Sequence, residues 1–87
     1  PDLLRIDRID ATITSAGLRD QQELVRFYRD RGRRLFEQER DREATAELNR
    51  VLFLSPYDAE AHLLVGRMHQ RAGRLSAAID AFKIAVW

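Results

Sequence analysis

The stretch Ala59–Trp87, AEAHLLVGRMHQRAGRLSAAIDAFKIAVW, decides the fold. It reads as two helices around a tight turn at Gly73–Arg74, and a weaker copy of it stands upstream. Gly66 answers to Gly32, Ala78 to Ala44, Phe82 to Leu48 and Ala85 to Val51, each 34 residues apart (66 − 32 = 34). A fixed period of that length marks a helix–turn–helix array in which each unit buries its apolar face against the next. The expected fold class is therefore all-α, an α-solenoid of about five helices.

Working outward, the punctuation agrees with that period. Ser55-Pro56-Tyr57-Asp58 stops one helix and starts another: Pro56 drives Ser55 out of the α region, and Asp58 is an N-cap for a helix from about Ala59 to Ala72. The last helix begins near Leu75, with Ala78, Ile79, Phe82, Ala85 and Val86 expected on its buried side. Upstream, a helix over 41–54 places Ala44, Leu48, Val51 and Leu52 inward and Glu43, Glu47 and Arg50 outward. The helix before it, from about Gln21 to Gln38, has Leu24, Phe27, Tyr28, Leu35 and Phe36 on its apolar side, and Gly32 marks the close approach of a neighbour. Asp20-x-x-Glu23 is a capping-box pattern that should start this helix, and Gly17 is a natural stop for the one before. That leading helix has Pro1 and Asp2 as start signals and a stripe of Leu3, Ile6, Ile9, Ile13 and Ala16. It does not fall in the repeat register. The expected units are thus 1–19, a leading helix or linker; 20–58, a first repeat; and 59–87, a second, truncated repeat.

Composition bounds the function. The chain has 87 residues, 15 basic and 14 acidic, for a net charge of +1, and 45% of it is hydrophobic. Global charge therefore exerts no strong pull toward nucleic acid or membrane. The absence of cysteine rules out disulfides and thiolate zinc sites. No apolar run approaches the ~20 residues of a membrane span, and no leader pattern heads the chain. The compartment stays open, with the cytoplasm slightly favoured, and a start at Pro1 without methionine suggests a fragment or a processed chain.

The residues of the two copies resemble the tetratricopeptide repeat family, whose pattern is aromatic-x-x-Leu-Gly-x-x-Tyr, then Ala-x-x-x-Phe, then Pro. The second copy gives His62-x-x-Val65-Gly66-x-x-His69, then Ala78-x-x-x-Phe82, then Ala85. The first gives Tyr28-x-x-Arg31-Gly32-x-x-Leu35, then Ala44-x-x-x-Leu48, then Val51 and Pro56. Arg31, His62 and His69 depart from the pattern. The resemblance covers Val25 to Trp87. It implies that Tyr28, Gly32, Leu35, Ala44, Leu48, Pro56, Val65, Gly66, Ala78, Phe82 and Ala85 pack the repeats. It also implies a right-handed superhelix whose first helices line a concave groove, and a scaffold that holds a peptide or partner protein without catalysis. In that register the groove takes Arg26, Arg29, Arg33, Phe36, Leu63, Arg67, Gln70 and Arg71. The family's clamp for chaperone tails needs an asparagine where Leu64 stands, so a full clamp is not expected.

Fourteen of the basic residues are arginines, which suit bidentate carboxylate pairing. In the family's register Arg29, Arg33, Arg67 and Arg71 form a ridge that would suit an acidic peptide or a C-terminal carboxylate; the plainer reading is a solvated face with Asp30–Arg34 and Arg33–Glu37 pairs. His62 and His69, seven apart, are too widely spaced for the usual metal pair on one helix and read as packing residues. No titratable constellation suggests an enzyme, and no metal or cofactor is expected. Nucleic acid is the competing partner: Arg26–Arg42 carries seven arginines among aromatics, but Asp30, Glu37, Glu39 and Asp41 offset more than half of them. The apolar end of the chain, Phe82, Val86 and Trp87, is expected to self-associate as a two-fold dimer or to meet a further helix of a longer array.

Overall fold

The computed structural model describes residues 2–87, with side chains described from Gly17 onward. The start signal at Pro1 and the side chains of the stripe Leu3, Ile6, Ile9, Ile13 and Ala16 lie outside the described residues. The described backbone forms four helices and no strand: α1 (Asp2–Glu37), α2 (Asp41–Leu54), α3 (Ala59–Arg71) and α4 (Leu75–Ala85). α1 pairs with α2 and α3 with α4 as antiparallel hairpins, and α3 rests on both α1 and α2. Between them lies a core of Val25, Ala44, Leu48, Val51, Ala61, Leu64 and Met68, in which Leu48 and Val51 are wholly buried.

The 34-residue period is present in the backbone. α1 ends with Glu39 N–H bonded to the Phe36 carbonyl at 3.0 Å and Arg40 N–H to the Leu35 carbonyl at 2.9 Å. α3 ends with Gly73 N–H on Gln70 at 3.1 Å and Arg74 N–H on His69 at 2.8 Å. These are the same two bonds shifted by 34, the pair that closes a helix around a left-handed residue. Gly73 takes that conformation freely at φ +82; Glu39 takes it at φ +60 with a side chain attached. The packing recurs as well. A Cβ on Gly32 would sit 2.8 Å from Leu48 Cδ2, and one on Gly66 would sit 2.5 Å from Phe82 Cε1. In each hairpin only a residue without a side chain lets the helices close to this distance. Ala44 and Ala78, one turn before Leu48 and Phe82, are both buried.

Four expectations are corrected. The described residues form four helices where about five were expected, because α1 runs unbroken through Gly17 and the Asp20–Glu23 capping pattern. Nothing lies within 4 Å of a Cβ built on Gly17, and residues 17–24 are exposed. No contact there rewards a turn, whereas breaking the helix would strip partners from up to four N–H and four carbonyl groups. A mid-helix glycine costs only ~1 kcal/mol. Glu47, expected outward, is buried. Leu24 and Phe27, expected to be apolar packing residues, are about half exposed, and the inward position is Val25. Ile79 and Val86, expected on the buried side of the last helix, are exposed, and Ala81 is buried in their stead. In both places the helix is packed on one side only, which leaves the flanks of the expected apolar stripe exposed.

The α2–α3 connection follows its sequence. Ser55 is extended (φ −141), and the Asp58 carboxylate accepts from Ala61 N–H at 2.9 Å as the N-cap of α3. His62 Nε2 donates to the Pro56 carbonyl at 2.7 Å, which fixes the loop from inside the first turn.

Candidate functional site

The arginines of α1 meet the first turn of α3. Arg29 Nη1 donates to Asp58 Oδ2 at 2.5 Å, and Arg33 Nε donates to Glu60 Oε1 at 2.6 Å. Asp58 therefore serves twice, capping α3 and tying it to α1. Glu60 lies between the two guanidiniums, 3.3 Å from Arg29 Nε. Its hydrogen bond holds the Arg33 guanidinium above the usual arginine range. Arg33 also pairs with Asp30 at 3.3 Å, three residues back, rather than with Glu37 four residues on. These carboxylates stand at the N-terminus of α3, where the helix dipole favours negative charge.

Arg71 closes the other end of the same seam. Its guanidinium pairs with Asp41 at the start of α2, reaches the Phe36 carbonyl at 3.3 Å, and lies 4.3 Å above the Phe36 ring. Thr45 Oγ1 contacts Met68 Sδ at 3.7 Å midway along. Of the residues expected to line a groove, Arg29, Arg33, Phe36 and Arg71 are thus brought together as the seam between hairpins. Arg26, Leu63, Arg67 and Gln70 are exposed beside it, and neither Arg26 nor Arg67 forms an ion pair among the described residues. Sequence periodicity placed Arg26, Arg29 and Arg33 on one helix face; it carried no signal that Asp58 and Glu60 would face them.

The first hairpin also holds a charged contact that the sequence did not suggest. The buried Glu47 has Oε1 3.7 Å from Arg31 and 3.8 Å from Arg50, while its Oε2 is buried without a hydrogen-bond partner. Arg31 and Arg50 lie over the Phe27 and Tyr28 rings at 5.6 and 5.4 Å.

Two surface hollows flank α1. An apolar one of about 440 Å³ is lined by Leu24, Tyr28, Asn49, Arg50, Phe53 and Leu54, with Phe53 among the most exposed side chains described. A polar one of about 430 Å³ lies where α1 meets the α2–α3 loop, lined by Gln21, Gln22, Arg26, Arg29 and Asp58 among others. Gln21 Nε2 donates to the Leu54 carbonyl at its edge, at 2.6 Å. Phe53 was not singled out in the sequence, although it stands 34 residues before Trp87.

At the other end, Phe82 faces Gly66 inside the α3–α4 hairpin, while Val86 and Trp87 are exposed and the Trp87 ring lies 5.8 Å from Tyr57. Of the three residues expected to self-associate, two are therefore on the surface. His62 and His69 do not meet: His69 Nδ1 accepts from Arg74 Nε at 2.9 Å, and His62 holds the Pro56 carbonyl. Among the described residues no group of three His, Asp or Glu is placed to hold a metal ion, and no helix is long and apolar enough to cross a membrane. Comparison of the chain with protein-family models, with curated proteins and with solved structures finds no match.

Proposed function

We propose that this chain is a non-catalytic protein–protein interaction module built of tetratricopeptide-like repeats, holding an acidic peptide or partner protein beside the α1–α3 seam. The observation that carries this reading is the hairpin that occurs twice with the same turn bonds, the same glycine contact and a 34-residue offset. A rigid stacked surface of this kind presents side chains from parallel first helices at fixed spacing, which suits recognition rather than chemistry. Arg26 and Arg67 supply the charge for an acidic partner. Pairing of Arg29, Arg33, Arg40 and Arg71 with carboxylates leaves little uncompensated charge to track a phosphate backbone.

The test is fluorescence anisotropy of the chain with labelled acidic, neutral and basic peptides of equal length. Preferential binding of the acidic peptide, weakened about tenfold by Arg26→Glu at unchanged melting temperature, supports the reading. Equal affinity for all three peptides would overturn it. So would tighter binding of a single-stranded oligonucleotide with a steep salt dependence.

A further inference from the structure

The sequence of α1 carries a band that the hairpins do not use. Counted along the helical backbone, positions 2, 6, 9, 13, 16, 20, 24, 27 and 31 fall along one side at steps of three and four. Among the described residues that side is open. Leu24, Phe27 and Arg31 on it are each about half exposed, while the inward position is Val25. Residues 17–24 are exposed, and a Cβ built on Gly17 meets nothing within 4 Å. Beside the band opens the apolar hollow of Leu24, Tyr28 and Leu54, where Phe53 is 86% exposed. Helices in proteins are stabilised mainly by packing of an apolar face, so a helix of this length with an uncovered band calls for a partner along it.

The band reads alike from both ends. Laid antiparallel about a two-fold axis between positions 16 and 17, residue n of one helix stands opposite residue 33 − n of the other, so positions 2, 6, 9 and 13 stand opposite 31, 27, 24 and 20. The residue types match in that register. Ile6 is set against Phe27 and Ile9 against Leu24, apolar on apolar. Asp2 is set against Arg31, so the ends carry opposite charges. Ala16 and Gly17, both small, fall at the axis. Ile13 against Asp20 is the one mismatched layer, and it limits the affinity. A parallel pairing would instead oppose Asp2 to Asp2 and Arg31 to Arg31, like charges that disfavour association.

We propose that α1 joins two copies of this chain as an antiparallel dimer, each copy setting Ile6 and Ile9 on Phe27 and Leu24 of the other, beside its Phe53 hollow. A second copy is the occupant because it alone must repeat the spacing, the apolar order and the end charges of the band in reverse. A two-fold dimer uses one patch on both subunits and requires that patch to be self-complementary. The band runs along the flank of α1 away from Arg29 and Arg33, so the dimer is independent of the acidic-peptide reading. It is also distinct from association through the exposed Val86 and Trp87.

The test is sedimentation equilibrium of the 87-residue chain across the micromolar range. A monomer–dimer equilibrium is expected, and Trp87→Ser should leave it unchanged. Ile9→Lys and Leu24→Glu should each weaken it at least tenfold, with the unfolding transition of the hairpins kept. Mixed in equal amounts, these two variants should associate more tightly than either alone, because the register sets the new lysine against the new glutamate. The chain has no cysteine, so introduced thiols report the register directly. Ale16 is at the axis.

In a glutathione buffer Ala16→Cys should form an intermolecular disulfide. Leu3→Cys should not, since its two copies would lie about 40 Å apart. A monomer at every concentration overturns the proposal. So does a dimer that both charge variants leave intact, a dimer that Trp87→Ser abolishes, or a mixture no tighter than its components. A disulfide in Leu3→Cys but not in Ala16→Cys would make the pairing parallel and also overturn it.

Discussion

The two hairpins share a backbone and differ in what fills it. The second is apolar where its helices meet: Val65 and Ala81 stand at the positions of Arg31 and Glu47, Phe82 at that of Leu48, and Gly73 at that of Glu39. The first carries a buried carboxylate between two arginines and a strained turn residue. The difference teaches which features the repeat requires. The glycine contact, the buried alanine and the left-handed turn are present in both copies. The chemistry around them varies, because a helix pair closes on shape at the glycine and tolerates charge at its rim. The hairpins also differ in exposure: Arg29, Arg33 and Asp41 of the first are paired with α3, while Leu63, Arg67 and Leu75 at the matching positions of the second are exposed among the described residues.

The largest expected effect tests the shared contact. Gly66→Leu forces a side chain into the Phe82 ring, and overpacking of this kind costs about 3 kcal/mol, at the upper end of the usual range. Gly32→Ala brings a Cβ to 2.8 and 2.9 Å from Cδ2 and Cγ of the wholly buried Leu48, and the gain in helix propensity offsets part of that clash, so its net cost is about 1–2 kcal/mol. Urea denaturation measures both, and a smaller loss for Gly66→Leu than for Gly32→Ala would break the equivalence of the two contacts.

Next comes the charged rim. Arg31→Val alone leaves Glu47 buried with only Arg50 nearby, and should cost about 1–2 kcal/mol, less than a fully buried pair because Arg31 is itself half exposed. Arg31→Val with Glu47→Ala copies the second hairpin and should be at least as stable as the natural chain, since apolar replacement of a buried pair is often neutral or favourable. If the double variant is the less stable of the two, the pair holds the hairpin together in a way its geometry does not show.

The turn comes third. Glu39→Gly relieves a left-handed conformation that costs a residue with a side chain ~1 kcal/mol, so the melting temperature should rise by about 4–8 °C. Gly73→Ala should lower it by a similar amount. Opposite signs are the point of this pair; a fall in both variants would mean that the two turns are not alike.

The smallest effect tests the unbroken helix. Gly17→Ala, in open space, should stabilise α1 by up to ~1 kcal/mol and raise helical circular dichroism. A loss of helicity would mean that Gly17 ends a helix, as its sequence suggests.

Much of this was legible without coordinates. The repeat spacing, Gly66 and Gly32 as close contacts, Asp58 as a cap and Gly73 as a stop all depend on local backbone requirements, which a residue type states by itself. The stop at Gly17 was misread for the same reason: glycine and a capping pattern permit a break, and whether one occurs depends on whether tertiary contacts reward it. Glu39 had no signal, since a glutamate does not announce a positive φ.

The sequence by itself determined the all-helical class, the 34-residue unit and the face of α1 that carries the arginines, because periodicity and caps act within a turn or two of the chain. Only the tertiary structure decided that Arg29 and Arg33 are occupied by Asp58 and Glu60, that Glu47 turns inward, and that Leu63, Leu75 and Ile79 are left open. Those outcomes depend on which helix rests against which, a contact between residues about thirty apart that no local pattern encodes.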